Sequence, residues 1–344
     1  ELTRQNITSP VQIADIVPNL EIHISPVDSG TSFTLRGVTS NNNTELGDPS
    51  VALHVDGVYS PRPQGALTLM YDLDRLEVLR GPQGTLYGRN ATGGSINVIN
   101  SKPKIGDKSA SLGIEFGNYF HRQGRGTINI PVNDQLAFRF NLFGEKRNGW
   151  ADQRMDQRDL NGDGVPDTDQ RYNHAVSPSK FYTNSDKYAY RLSGLYKPMD
   201  NLDILGTYEV LEDRSVGGIN FQDCERAPEN CKTYGLNRDT VYVNVPGQRH
   251  LSQHNIRLSA DWKASENLKV KFAYGHSDQK LSQRFDDDSG RRPMPGTLVW
   301  AFNVPAFSNQ TQWEDIMQTH PKSNSVSDSY ELQLHGKNGK LRSE

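Results

Sequence analysis

From residue 110 onward, apolar and polar side chains alternate in short runs. Ala110, Leu112, Ile114 and Phe116 are interleaved with Ser111, Gly113, Glu115 and Gly117. Leu136, Phe138, Phe140 and Leu142 alternate with Ala137, Arg139 and Asn141, and Tyr188, Tyr190, Leu192 and Tyr196 with Arg191 and Ser193. The same holds for Ile256, Leu258, Ala260 and Trp262 against Arg257, Ser259 and Asp261, and for Leu268, Val270, Phe272 and Tyr274 against Lys269 and Lys271. A period of two puts each set on one face of a β-strand, and one apolar face opposite a wet one suits a wall between lipid and an aqueous lumen. Short turns are predicted at Val132–Gln135, Pro198–Asn201, Ala264–Asn267 and Gly336–Gly339. Long polar connections fall near 148–186, 214–252 and 285–328. Strict alternation of short and long connections is expected of periplasmic turns and extracellular loops in an outer-membrane barrel, and a soluble sandwich has no reason to keep it. The pattern gives eight complete strands and the start of a ninth at Leu341.

The first hundred residues follow a different pattern. Residues 9–19, SPVQIADIVPN, predict a short helix with Ser9 as N-cap, Pro10 in the first turn, Ile13, Ile16 and Val17 on one face, and Pro18 ending it. Leu20–Ile24 and Phe33–Leu35 read as strands around a Pro-Val-Asp-Ser-Gly turn. Val51–Val55 leads into Asp56-Gly57, a strong hairpin signal, with Val58-Tyr59 after it, and Leu73–Leu79 and Ile96–Ile99 are further β-runs. The expected product is a small α/β unit over 1–103, followed by antiparallel transmembrane strands over 104–344.

Composition changes this picture little. The 344 residues carry a net charge of −3, with 34% hydrophobic, 23% charged and 9% aromatic residues. There is no global basic field to suggest nucleic acid as a partner. No apolar run reaches the roughly 18 residues of a membrane helix. Mean hydropathy is −0.72, low for a packed soluble globule but compatible with half-wet strands.

The motifs FTLRGV at 33–38, VALHVDGVY at 51–59 and LDRLEVLRGPQGTLYGRNATGGSINVINSKP at 73–103 resemble the plug domain of TonB-dependent outer-membrane receptors. The resemblance covers residues 1–103 by motif and the remainder by strand pattern. It implies an α/β plug followed by a transmembrane barrel that closes at about 22 strands. The chain then reads as a fragment, with the signal peptide and TonB box preceding Glu1 and further strands following Glu344. The implied activity is uptake of a scarce ligand, a ferric siderophore before oligosaccharide, haem or cobalamin, energised by the inner-membrane TonB–ExbB–ExbD complex. A passive porin-like or adhesion barrel is the competing class, and residues 33–103 have no place in it.

Candidate sites divide by warrant. By resemblance, Arg36 and Arg80, each before a glycine, latch the plug to glutamates of the barrel wall, with partners expected beyond Glu344. By the same resemblance, Asn41, Asn42, Asn43, Glu45, Tyr59, Arg62 and Gln64 in plug loops are ligand-contact candidates. Asp159, Asn161, Asp163, Val165 and Asp167 match the first nine positions of an EF-hand loop, but Gln170 stands where a bidentate glutamate belongs. That loop is either an extracellular Ca2+ site or an acidic turn-rich segment, and no other cofactor is required. Cys224 and Cys231, in a polar segment, are expected to form a local disulfide, with two free thiols the alternative. The glycines at 81, 84, 88, 93 and 94 lack phosphate-loop spacing, and neither a Ser-His-Asp signature nor H-E-x-x-H is present, so an enzyme is not expected.

Overall fold

The computed structural model describes residues 13–24, 31–40, 48–62, 71–155, 182–216, 228, 232, 240–243, 247–286, 318–319, 322–338 and 341–343. Helix α1 (Ile13–Ile16) precedes strands β1 (Leu20–Ile24) and β2 (Thr31–Leu35), which pair antiparallel. Strands β3 (Val51–Val55), β4 (Val58–Tyr59), β5 (Leu73–Arg80) and β6 (Gly94–Asn100), with α2 (Gly84–Tyr87) between the last two, form a second sheet in the order β4-β3-β6-β5. Its central pair, β3 and β6, is parallel, and every residue of β3 is buried, as expected for a parallel strand covered on both faces. Ile13, Leu20, Ile22, Phe33, Leu35, Val51, Leu53, Val55, Ile96 and Val98 make one apolar core between the two small sheets. Each such side chain, fully buried, stabilises the unit by about 1.5–3 kcal/mol before entropy is counted.

Two hairpin turns in this unit follow from Xaa-Gly pairs. Asp56 and Gly57 sit at φ 52° and 83°, and Arg36 and Gly37 at φ 54° and 77°. Two successive left-handed residues close a two-residue hairpin whose twist matches its strands. Arg36 is therefore a turn residue first, with reciprocal backbone bonds between Leu35 and Val38 across it.

The remaining strands are β7 (Ser109–Gly117), β8 (His121–Pro131), β9 (Leu136–Arg147), β10 (Asp152–Met155), β11 (Ser185–Met199), β12 (Leu202–Asp213), β13 (Thr240–Val243), β14 (Gln248–Ser265), β15 (Leu268–Asp286), β16 (Gln318–Thr319), β17 (Lys322–Asn338) and β18 (Leu341–Ser343). One antiparallel meander, β18-β17-β15-β14-β12-β11-β9-β8-β7, makes the wall, in the eight-strands-plus-one arrangement that the alternation predicts. Strands β10 and β13 form a separate parallel pair.

The wall departs from expectation at its ends. Strand β17 runs through the expected turn at Gly336–Gly339 as far as Asn338, which pairs with Leu341 of β18. On the other side β14 starts at Gln248 and β17 at Lys322, inside segments expected to be loop. Alternation of apolar side chains reports where lipid lies, whereas the backbone ladder continues beyond it. Leu112, Ile128, Phe138, Leu192, Ile256, Leu258, Leu332 and Leu334 lie exposed on one face, and the opposite face meets the N-terminal unit.

Candidate functional site

The N-terminal unit is held against the wall by a buried charged cluster. Two aspartates at one end of its four-stranded sheet reach the wall. Asp72, just before β5, receives both arms of Arg139 on β9, Nε to Oδ2 at 2.7 Å and Nη2 to Oδ1 at 2.5 Å. Asp56, in the β3–β4 turn, lies 3.2 Å from Nε of Arg257 on β14 and also accepts from the backbone and side-chain amides of Asn100, at 2.9 and 2.7 Å. Both aspartates are at φ 52°, a left-handed conformation that aspartate tolerates better than most residues. Turn chemistry thus places two carboxylates at the sheet's tip.

Behind Asp56 the wall carries its own network. Glu209 on β12 accepts from Arg191 on β11 at 2.7 Å through one oxygen and from Arg257 at 2.7 Å through the other. Arg191 and Glu209 are direct cross-strand partners, and their side chains are each 1% exposed. Arg191 also donates to the Tyr71 carbonyl at 3.3 Å, and its guanidinium lies 4.6 Å from the Tyr71 ring centre. Tyr71 stacks on Phe143 at 5.6 Å and joins Ala189, Leu211, Leu251 and Leu281 in an apolar patch. Burial raises its phenol well above the usual tyrosine range, so it stays neutral. A cavity of about 30 Å³, room for about one water, remains between Val58 and Asn100 of the N-terminal unit and Arg191, Glu209 and Arg257 of the wall.

Two further contacts fix the units. Strand β4 packs on β15 so closely at Gly275 that a Cβ there would lie 2.1 Å from Val58 Cγ1. The linker between the units is stitched down by Asn129 of β8, fully buried. Asn129 accepts from the Lys104 amide at 2.9 Å and donates to the carbonyls of Lys104 and Asp107 at 2.8 and 2.5 Å.

Of the described residues singled out in the sequence, Tyr59 lines this cavity, while Arg36, Arg62 and Arg80 lie elsewhere. Arg36 and Arg80 are exposed, and Arg80 closes β5 at the end of the sheet opposite Asp56 and Asp72. No carboxylate pairs with either among the described residues. Tyr59 accepts from Asn90 at 2.8 Å, with the Arg89 guanidinium 5.3 Å from its ring. Arg62 follows β4, its carbonyl accepting from Ser60 at 3.3 Å. Asn41, Asn42, Asn43, Glu45, Gln64, the 159–167 loop and the Cys224–Cys231 pair lie outside the described residues. The Asp56, Asp72, Arg139, Arg191, Glu209 and Arg257 cluster was missed, although its signal was present. Arg191 and Arg257 stand at lumen-side positions in mid-strand, where a buried charge requires a partner.

Comparison with known proteins agrees with this architecture. Residues 1–95 match the family described as TonB-dependent Receptor Plug Domain. The chain is 34% identical over 143 residues to the pesticin receptor of Yersinia pestis, covering 40% of this chain and 20% of that protein. It is 34% identical over 119 residues to the catecholate siderophore receptor Fiu of Escherichia coli K12, covering 34% of this chain and 14% of Fiu. The solved ferric yersiniabactin uptake receptor FyuA of Yersinia pestis superposes with a TM-score of 0.65 at 18% identity, over 83% of this chain and 40% of that one. The open form of Fiu superposes at 0.58 and 17%, over 98% and 45%. The chain thus spans less than half the length of these relatives. Residues 1–95 carry the plug domain of TonB-dependent receptors, and the chain as a whole has the fold of TonB-dependent outer-membrane receptors, a family of receptors and transporters rather than enzymes.

Proposed function

We propose that the full-length protein takes up a ferric siderophore across the outer membrane, energised through TonB–ExbB–ExbD. The observation that carries this reading is the buried ionic seat of the plug. A passive pore has no use for a folded domain held in its lumen by desolvated ion pairs, whereas a gated carrier needs a plug that is locked yet releasable. The sequence relatives, a catecholate siderophore receptor among them, favour an iron chelate over oligosaccharide, haem or cobalamin. In this reading ligand is met by plug loops, with Asn41, Asn42, Asn43, Glu45, Tyr59, Arg62 and Gln64 as contacts. Arg36 and Arg80 serve as a second latch toward wall strands outside this chain. The 159–167 loop binds Ca2+, and Cys224 and Cys231 form a disulfide.

The test is growth rescue of an iron-starved, receptor-deficient strain by the full-length protein, against ferric catecholates, phenolates, hydroxamates and carboxylates, with haem, cobalamin and oligosaccharides in parallel. Rescue by one iron chelate, lost without TonB, is expected. Rescue by a non-iron ligand alone, or a permanently open conductance in bilayers, would overturn it.

A further inference from the structure

Among the described residues the ion pairs between plug and wall have one polarity: the wall supplies the guanidinium groups and the plug supplies the carboxylates. Among the described residues of the cluster, Arg139, Arg191 and Arg257 on the wall share one wall carboxylate, Glu209, an excess of two positive charges. Asp56 and Asp72 of the plug cancel them. Counted over these six residues, the cluster is neutral only while the plug is seated. Both aspartates sit at one end of one sheet and are tied to the same stretch of backbone. Asp56 holds Asn100, and the Asp72 carbonyl accepts from the Ser101 amide at 3.0 Å. A movement that withdraws one withdraws the other, while Glu209 stays with the wall.

We propose that Arg139 and Arg257, once uncovered, form an anion-binding station on the lumen wall that holds the cargo in transit. Arg139 and Arg257 lie in one row of the wall, related through the pairs Arg139↔Ser193, Ser193↔Thr207 and Thr207↔Arg257. Three strand spacings put their backbones about 14 Å apart, with Arg191 and Glu209 one step along the strands between them. The fork of Arg139 is already filled in bidentate fashion by a carboxylate, so its geometry suits a carboxylate, catecholate or phosphate edge. Two such charges in one row fit a chelate with acidic groups on opposite sides. An anionic chelate replaces the carboxylates that the plug takes away, whereas a neutral cargo leaves two guanidinium groups without counter-charge. The station rests on the uptake reading above and narrows its cargo to multivalent anions.

The test uses the full-length receptor in detergent, with citrate as the probe and chloride at matched ionic strength as the control. Asp72→Asn, and Asp56→Asn with Asp72→Asn, keep side-chain shape but remove the charge that seats the plug, which raises the fraction of receptor in which Arg139 and Arg257 are uncovered. Citrate is expected to bind these variants about tenfold or more tighter than wild type, read by calorimetry, and to raise their melting temperature. Adding Arg139→Gln and Arg257→Gln should abolish the gain. Equal citrate affinity in wild type and variants, or a gain that survives loss of both arginines, overturns the station. The single Asp72→Asn variant keeps the Asp56 contact and so serves should the double variant not fold. Citrate binding without TonB-energised uptake would sink the function proposed above and spare the station, and uptake without citrate binding would do the reverse.

Discussion

At the scale of single residues, burial decides which charges matter. Glu209 satisfies two guanidinium groups from a position 1% exposed, whereas Arg75 pairs with Glu77 and Asp74 in the open, its side chain 56% exposed. Glu209→Gln is expected to destabilise the full-length receptor by about 3–5 kcal/mol, because it removes the buried negative charge that Arg191 and Arg257 share. Glu77→Gln should cost less than about 1 kcal/mol. Chemical denaturation in detergent separates these outcomes, and equal effects would remove Glu209 from the centre of the seat. His54 adds a pH dependence. Burial lowers its imidazole below the usual 6.5, against weaker upward pulls from the Glu331 carboxylate and a backbone hydrogen bond at Tyr87. The unfolded chain therefore takes up this proton first as pH falls. The stability His54 contributes is complete above about 6.5 and is lost as pH drops through its lower folded value. His54→Gln should flatten that acid limb of plug melting, and an unchanged limb would assign it to other groups.

At the scale of elements, the β4 hairpin packs tightly on the wall at Gly275, with no room there for a Cβ. Gly275→Ala should destabilise the receptor by about 1–3 kcal/mol, and Val58→Ala in the same chain should restore most of it. A double-mutant cycle that shows simple additivity would mean the hairpin does not press on β15. The elements themselves were largely legible. Period-two alternation gives the wall meander, Asp56-Gly57 gives the hairpin, and the 73–103 motif gives the plug. Their lengths were less so, since β14 and β15 outrun the apolar pattern by which they are recognised. The clamp was not legible. Asp72 meets Arg139 across 67 positions and Glu209 meets Arg257 across 48, and both depend on register and docking rather than on local spacing. Arg36 and Arg80 are recognised through a motif and occupy a turn and a strand end, and motif spacing does not say which wall strand a side chain faces.

At the scale of the molecule, the wall has two surfaces with different tolerances. Leu258 belongs to the outward apolar band and Arg257 beside it to the buried lumen face. Leu258→Arg should cost about 2–4 kcal/mol as a charge facing the bilayer interior, measured by refolding into vesicles, and a neutral result would displace the membrane band from this row. The strands are longer than that band requires. β14 has 18 residues and β15 has 19, against the roughly 9–11 that a tilted strand needs to cross hydrocarbon. Beyond Ile256 and Tyr274 the outward face turns polar, with His250, His254, Asp278 and Lys280. This flank stands above the lipid like a collar, reachable from outside the cell without passing the mouth. In intact cells a cysteine at Lys280 should react with a membrane-impermeant maleimide while one at Leu258 stays silent. An antibody raised against the collar would then report the receptor on living cells whether or not its interior is occupied.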